Sequence, residues 1–260
     1  MIKVLCVGDV AGRIGREMLF KYVDDIKYQK SVDLVIVNGE NSSHGRGMTR
    51  STYNEMCRAG ADGFTMGNHT WNTKEITDIF RKEDNVIRPA NFSSECPGKG
   101  SMLLYTKNGV KVGVINIIGR VYMDGADSPF DAVLREIETL RKKTNIILVD
   151  FHAEATSEKE AMGYFLDGKV SAVFGTHTHI QTADNKILPE GTGYITDLGM
   201  TGPEESVLGM NRFNVMKKFV TGMPQKFEIA DGKGRFCGCI FEIDENSGKC
   251  TATERIYIND

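Results

Sequence analysis

The chain has 260 residues, 40% of them hydrophobic, and a formal net charge of −3 at pH 7. This length can bury a substantial core, and we expect residues 1–260 to form a single domain. A slightly acidic chain has no bulk attraction for nucleic acid or for an anionic membrane, so we expect neither as a stable partner.

The sequence also carries no sign of export or of a membrane anchor. Residues 1–9 contain no long apolar segment and no small-residue cleavage site, and no window approaches the roughly 18 apolar residues of a membrane span. The six cysteines are scattered and include no Cys-x-x-Cys pair, which favours free thiols in a reducing compartment. We therefore expect a cytoplasmic protein.

Three apolar runs in the first part of the chain predict buried strands. Each run ends in a glycine followed by polar side chains. Such side chains can bind a ligand, because open α/β sheets place their ligands at the carboxyl ends of their strands. These ends are Gly8-Asp9 after residues 2–7, Gly39-Glu40-Asn41 after residues 33–38, and Gly67-Asn68-His69 after residues 63–66.

A helix is predicted after each of these strand ends. The glycines after Asp9 lack the Gly-Lys-Ser/Thr ending of a nucleotide-binding loop. Thr49 is the predicted N-cap of the second helix, and Asn72 or Thr73 that of the third. His44 falls in the glycine-rich loop before the second helix, and we interpret it as a solvent-exposed loop histidine.

The middle of the chain departs from this alternation. Asn108-Gly109 between two apolar runs is a strong hairpin signal, so antiparallel pairing is expected there. A helix is predicted from Pro129, and residues 145–150 are a fourth buried strand that ends just before His152. Another helix is expected near residues 157–166.

The fifth strand, residues 170–174, leads into Gly175-Thr-His-Thr-His179. Histidines at i and i+2 of an extended stretch point to the same side, so both imidazoles can face one point. Taken alone, a polar loop that carries two imidazoles explains the pair equally well. Beyond it we expect a glycine-rich loop at 199–202 and two strands, 235–243 and 251–258, that form a second, antiparallel sheet.

Five strand ends thus deliver polar side chains, a number that loop composition does not readily explain. Neutral imidazole is a common metal ligand, and mixed nitrogen and oxygen donors without thiolate favour Mn²⁺, Fe²⁺ or Zn²⁺. So many donors exceed the needs of one tetrahedral ion and suit two ions that share a bridging ligand. The candidates are Asp9, Glu40, Asn41, Asn68, His69, His152, His177 and His179.

The order of these motifs, Gly-Asp, Gly-Glu-Asn, Gly-Asn-His, His and Gly-Thr-His-Thr-His, resembles the calcineurin-like metallophosphoesterase superfamily. Within that superfamily the chain is similar to the YmdB-like branch of bacterial phosphodiesterases over essentially its whole length. Segments 151–159, 175–184 and 194–203 match that branch nearly residue for residue. The resemblance implies an α/β fold, a four-layer α/β/β/α sandwich with two mixed β-sheets.

Two departures from the superfamily pattern bear on the metal. Its first motif is Asp-x-His, whereas Asp9 is followed by Val10 and Ala11, and Glu40 replaces its bridging Asp. We infer that Asn41 takes over the coordination of the missing histidine. A carboxamide oxygen binds more weakly than imidazole, which favours iron or manganese over zinc.

Carried over position by position, the resemblance implies two divalent cations bridged by Glu40. Their other ligands would be Asp9, Asn41 and His179 for the first cation and Asn68, His152 and His177 for the second. His69 would be the general acid. Thr70 stands where the superfamily has an acidic residue, so the group that orients His69 is not identified. Glu154 and Asp197 are expected to orient ligands.

The implied reaction is hydrolysis of a phosphodiester by a metal-bridged hydroxide, with His69 protonating the leaving alkoxide. The expected substrate is a small cyclic nucleotide, and 2′,3′-cyclic nucleotides are the first choice. The residues by themselves support only a phosphate-ester hydrolase. A phosphomonoesterase or nucleotidase stays open as an alternative, as does a nucleotide-binding regulatory protein with slow turnover. A homo-oligomer also stays open.

Overall fold

The computed structural model describes residues 1–123 and 125–260 of the chain. Within these residues, no helix has both the length and the apolar character needed to cross a bilayer. The helices are α1 (Gly12–Lys30), α2 (Arg50–Arg58), α3 (Ile76–Lys82), α4 (Pro129–Arg141), α5 (Thr156–Leu166) and α6 (Arg212–Thr221). The strands are β1 (Ile2–Val7), β2 (Asp9–Val10), β3 (Leu34–Asn38), β4 (Gly63–Thr65), β5 (Ser101–Tyr105), β6 (Lys111–Ile118), β7 (Ile147–His152), β8 (Ala172–Thr176), β9 (Lys186–Ile187), β10 (Gly193–Ile195), β11 (Met200–Pro203), β12 (Gly234–Ile243) and β13 (Cys250–Asn259).

These strands form two mixed β-sheets. The first sheet has the order β2-β11-β12-β1-β3-β4, with β13 also paired to β12. The second has the order β5-β6-β7-β8-β10-β9. Strands β1, β3 and β4 are parallel neighbours in the first sheet, and β6, β7 and β8 are parallel neighbours in the second. The carboxyl ends of each parallel set therefore meet at one edge of their sheet.

Apolar side chains pack between the two sheets and on both outer faces. Val4 and Phe241 of the first sheet pack in one cluster with Val114 and Phe174 of the second. Helices α1, α2 and α3 cover the outer face of the first sheet, and α4 and α5 cover that of the second. The four-layer α/β/β/α sandwich with two mixed sheets is therefore confirmed.

Local sequence signals explain several element boundaries. Thr49 caps α2, because its side chain accepts from Thr52 N while the Thr52 hydroxyl accepts from Thr49 N. Gly109 adopts a φ of 80° in the turn between β5 and β6, a conformation that favours glycine. The helix predicted from Pro129 begins there as α4, with the proline at its first position.

The prediction for the C-terminal strands was wrong in one respect. Strands β12 and β13 do pair antiparallel, but β12 also pairs with the whole of β1 and so belongs to the first sheet. The second sheet is built instead from the hairpin strands, β5 and β6, together with β7, β8, β9 and β10. A glycine-rich loop was expected at 199–202, but Met200–Pro203 forms β11, because its end pairs with the start of β12.

The third helix begins later than the sequence predicted. Its N-cap is Glu75, not Asn72 or Thr73. Asn72 instead ends a single 3₁₀ turn, Thr70–Asn72, and its side chain contacts His69. The polar residue that resembled a helix cap therefore belongs to the surroundings of a candidate site residue.

Candidate metal centre

The carboxyl ends of the parallel strands carry the candidate ligands to a common edge of the two sheets. Strands β1, β3 and β4 of the first sheet are followed by Asp9, Glu40 with Asn41, and Asn68. In the second sheet His152 ends β7, and His177 directly follows β8. The inner faces of the sheets pack together, so ligands from both sheets can meet.

Four of these side chains converge on one point. His152 Nε2 lies 2.8 Å from Asn68 Oδ1 and 3.2 Å from Glu40 Oε1. The same nitrogen lies 3.1 Å from His177 Nδ1. Donor atoms that bind one cation at about 2.1 Å are themselves about 3–3.4 Å apart. The separations therefore suit a single cation held by the four residues expected for the second metal.

The expected ligands of the first metal lie beside this cluster. Asp9 Oδ1 is 3.9 Å from His179 Nε2 and 4.0 Å from His152 Nδ1. Asn41 is held in the same region, because its backbone oxygen accepts a hydrogen bond from Gly12 N at 3.0 Å. The structure thus places all seven expected ligands at one edge.

Two buried oxygens at this edge have no hydrogen-bond donor. Across residues 1–123 and 125–260, Asp9 Oδ1 and Asn41 Oδ1 are among the few buried side-chain atoms that lack a partner. The Asn41 amide is fixed by the bond from Nδ2 to Gly45 O at 2.9 Å, which leaves Oδ1 unpaired. An unsatisfied buried polar atom costs about 1–3 kcal/mol, and a cation would satisfy both oxygens. The residues therefore fit a divalent metal.

The histidine loop does not have the extended backbone that the i, i+2 argument assumed. His177 and His179 have positive φ values of 101° and 65°. Their side chains consequently reach different neighbours. His177 lies in the cluster around His152, whereas His179 has Nε2 near Asp9 and Nδ1 3.0 Å from Leu208 O. The two imidazoles serve neighbouring positions, not one point.

A buried ion pair holds this loop in place. Lys159 of α5 donates to Asp197 Oδ2 and, at 2.8 Å, to Thr176 O at the end of β8. Asp197 also accepts from Thr178 N at 3.1 Å and from the Thr178 hydroxyl at 2.8 Å. Both charged side chains are 1% exposed. Asp197 thus orients the loop backbone. Glu154 contacts an expected ligand directly, with Oε2 3.2 Å from His177 Nε2.

A second buried network, which the sequence motifs did not predict, orients His152. His152 Nδ1 lies 2.9 Å from the Thr176 hydroxyl, which donates to Asp150 Oδ1 at 2.7 Å. Asn38 Nδ2 donates to the other oxygen of Asp150 at 3.1 Å. This chain fixes the imidazole with Nε2 toward the cluster. The available signal was an aspartate two residues before His152, on the same face of an otherwise apolar strand.

Charges within the cluster shift the pKa values of its members. Burial opposes ionisation of Glu40, but the adjacent His152 outweighs burial and holds the pKa of Glu40 at about 2. Burial also opposes a charged His152, yet Glu40 and Asp9 raise the His152 pKa to about 9. Burial, together with the neighbouring His152, lowers the pKa of His177 to about 3. A cation bound here would take the place of the His152 proton, because metal ligation requires the neutral imidazole.

His69 lies at the rim of the cluster and is partly exposed. Its backbone N donates to Glu40 Oε2 at 2.8 Å, which fixes the residue beside the expected bridging carboxylate. Its Nδ1 lies 3.2 Å from Asn72 Oδ1. Asn72 is therefore the candidate for the group that orients His69, a group that the sequence, with Thr70 in place of the acidic residue, had not identified. His44 is exposed, as predicted.

Gly67 leaves space that the cluster needs, and replacing it tests the arrangement. A Cβ atom at this position would overlap the His152 ring and the Glu40 carboxylate. We expect Gly67→Ala to lower metal content and phosphoesterase activity at least about tenfold, since displaced ligands bind metal poorly. Metal analysis of the purified variant measures this. Gly125→Ala, where no atom lies within reach of an added Cβ, is the control, and equal metal content in both variants would contradict the prediction.

The protein has two packed mixed sheets whose strand ends gather carboxylate, carboxamide and imidazole donors. This fold and this candidate site are those of the metallophosphoesterase class. Comparison with known proteins is more specific. A family model described as YmdB-like protein matches residues 5–256, and the chain belongs to that family. A Bacillus subtilis (strain 168) protein named 2′,3′-cyclic-nucleotide 2′-phosphodiesterase is 48% identical over 260 residues, which cover 100% of this chain and 98% of that protein.

Solved structures agree with this assignment. A hypothetical protein from Thermus thermophilus superposes with a TM-score of 0.93 at 39% identity, covering 100% of both chains. A phosphatase from Mycoplasma pneumoniae superposes with a TM-score of 0.91 at 37% identity, covering 99% of this chain and 93% of that one. The protein is therefore an enzyme that hydrolyses phosphate esters.

Proposed function

We propose that this protein is a two-metal phosphodiesterase that hydrolyses 2′,3′-cyclic nucleotides. The observation that carries the proposal is the convergence of Asn68, Glu40 and His177 on His152 Nε2, beside the unpaired oxygens of Asp9 and Asn41. The Bacillus subtilis relative is named for this substrate. Because that name specifies the 2′ position, we propose cleavage of the P–O2′ bond to give the 3′-monophosphate.

The two cations would be held by the ligand sets assigned above, with Glu40 shared between them. When bound, they supply charge neutralisation at the phosphoryl group and activation of the attacking water. The donors are oxygens and imidazole nitrogens without thiolate, and one of them is the carboxamide of Asn41, which supports iron or manganese ahead of zinc.

The proton for the leaving group is assigned to His69. Water attacks phosphorus and releases one proton, the P–O2′ bond breaks, and O2′ accepts a proton from His69 Nε2, so that the number of protons is unchanged overall. The Asn72 contact occupies Nδ1 and so leaves Nε2 as the donor atom. The hydrogen bond from His69 N to Glu40 keeps this acid beside the reacting phosphate.

Product analysis tests the proposed activity. Protein loaded with Mn²⁺ is incubated with adenosine 2′,3′-cyclic phosphate, and the products are separated by chromatography. We expect adenosine 3′-phosphate and no inorganic phosphate. Release of inorganic phosphate would favour the phosphomonoesterase alternative. Binding of metal and nucleotide without turnover would favour the regulatory protein.

Glu40→Gln tests the bridging role. We expect bound metal to fall from about two cations per chain to below about one, because a neutral amide cannot balance two cations. Metal analysis after dialysis measures the loss. Glu138→Gln, an exposed position on α4, removes the same charge and should keep its metal. Full metal content in Glu40→Gln would rule out the shared carboxylate.

Asn72→Ala tests the positioning of the acid. We expect kcat to fall roughly 10–100-fold, the range typical for groups that orient a functional side chain, with little change in KM or metal content. Asn72→Asp retains an acceptor for His69 Nδ1 and should recover most of the loss. Steady-state kinetics on the three proteins measure the effect, and equal kcat values would show that the contact has no role.

A further inference from the structure

A groove of about 780 Å³ lies between the loop after Asn41 and the segment around α6. One wall is the loop after Asn41, which contributes His44 and Arg46. The other wall is formed by α6 and the residues that flank it, with Met210, Lys218 and Phe227 among its lining side chains. The site proposed above did not use this groove.

Both walls are attached to expected ligands of the first metal. Asn41 Nδ2 donates to Gly45 O at 2.9 Å, within the loop that carries Arg46. His179 Nδ1 lies 3.0 Å from Leu208 O, two residues before Met210. A substrate that extends from the metal centre on the side of Asn41 and His179 would therefore enter this groove.

The charged side chains of the groove are mainly cationic. Arg46, Lys218 and Lys226 line it, and Glu228 is its acidic member. Lys226 Nζ is 3.0 Å from Glu228 Oε1, so that pair is neutral. Arg46 and Lys218 form no ion pair with the carboxylates in the described part of the chain, and the groove therefore has an excess of two positive charges. This local charge contrasts with the net charge of −3 on the whole chain.

An apolar surface lies between these cations. Lys218 Nζ is 4.9 Å from the centre of the Phe227 ring, which is 37% exposed. Met210 and Ile229 continue this surface, and both lie against Gly45 in the loop after Asn41. Cations beside an exposed aromatic ring are the features that bind single-stranded nucleic acid, with the cations contacting the phosphate and the ring stacking on a base.

We propose that this groove binds the penultimate nucleotide of an oligoribonucleotide whose terminal nucleotide carries the 2′,3′-cyclic phosphate. The substrate class would then include oligoribonucleotides that end in a 2′,3′-cyclic phosphate. The terminal nucleotide of such a chain carries a second phosphodiester on its 5′ oxygen. Arg46 and Lys218 contact that phosphate, and Phe227 stacks on the preceding base. The inference rests on the proposed function, because it extends the same active site.

Two substrates and one substrate analogue test the groove. We compare kcat/KM for the dinucleotide adenylyl-(3′→5′)-adenosine 2′,3′-cyclic phosphate with that for adenosine 2′,3′-cyclic phosphate. Partly exposed charge pairs contribute about 1.5–5-fold each, so the two cations alone predict a ratio of roughly 2–30, and stacking on Phe227 raises it further. A dinucleotide with an uncharged methylphosphonate linkage should lose the charge-dependent part of this advantage and keep the stacking part, and so should the Arg46→Ala/Lys218→Ala variant with the normal dinucleotide.

Lys107→Ala/Lys142→Ala is the matched control, because it removes two exposed positive charges outside the groove lining. Binding of the fluorescently labelled product dinucleotide, measured by anisotropy, gives a second readout that does not need turnover. A substrate ratio near one would overturn the proposal that the groove binds this nucleotide. So would equal dissociation constants for wild type and the Arg46→Ala/Lys218→Ala variant. Failure to hydrolyse the cyclic mononucleotide would instead overturn the proposed function. The anisotropy measurement would still show whether the groove binds the dinucleotide.

Discussion

His69→Ala should lower kcat on a 2′,3′-cyclic nucleotide by roughly 10²–10⁴-fold, the contribution typical of a positioned general acid. The leaving 2′ alkoxide is a strong base that departs slowly without a proton. The imidazole lies at the rim of the metal cluster and supplies no atom to the convergence at His152 Nε2, so metal content should stay at the wild-type level. Parallel metal analysis and steady-state kinetics measure both quantities.

A substrate with a better leaving group separates an acid from a structural histidine. Bis(4-nitrophenyl) phosphate releases a phenolate that needs no protonation, so the same variant should lose far less activity on it. A structural defect would lower both activities by a similar factor. Equal losses on the two substrates would therefore contradict the assignment of His69 as the general acid.

The local sequence predicted the strand ends because their signals are short. An apolar run, a glycine and a polar side chain lie within about ten residues, and each such run became a strand of a parallel set. The sheet membership of β12 could not be read in this way. Its partner is β1, more than 200 residues earlier in the chain, and no local pattern records which of several apolar strands will be neighbours.

The supporting contacts of the site were harder to predict for a related reason. Thr176 and Asp150 lie on adjacent strands, β8 and β7, and their hydrogen bond to each other exists only once those strands pair. Asn72 resembled a helix cap because Asn is common in that role, and only the 3₁₀ turn after His69 brings its amide to the imidazole. The candidate ligands, with Glu154 and Asp197 as orienting residues, followed from motifs, whereas Thr176, Asp150 and Asn72 as supporting groups became evident only in the tertiary structure.

A buried lysine in helix α5 is likewise not recognisable from the local sequence. Lys159 lies on the face of α5 that packs against the second sheet, together with Met162 and Leu166. Its ammonium group reaches Asp197 beyond β10 and the backbone of Thr176. Ion pairs at this depth are costly to break, because the remaining partner keeps an uncompensated charge away from water.

Lys159→Met should therefore be strongly destabilising although it changes no expected ligand. We expect a loss of about 3–5 kcal/mol in the free energy of unfolding, which corresponds to a fall in Tm of roughly 6–20 °C for a chain of this size. Asp197 would keep its charge, and the loop with His177 and His179 would lose the clamp at Thr176. Urea denaturation and calorimetry measure the stability, and metal analysis measures the loosening of the loop.

The double variant Lys159→Met/Asp197→Asn decides whether the loss comes from the unpaired charge. Removing both charges leaves no buried ion without a partner, so the double variant should be more stable than the sum of the two single losses predicts. The introduced asparagine would still present an oxygen to Thr178, which preserves part of the loop contact. Strictly additive losses would show that Lys159 acts through packing alone. A coupling of about 1 kcal/mol or more, the scale expected for residues in direct contact, would establish that a buried charge in α5 supports the metal-binding loop.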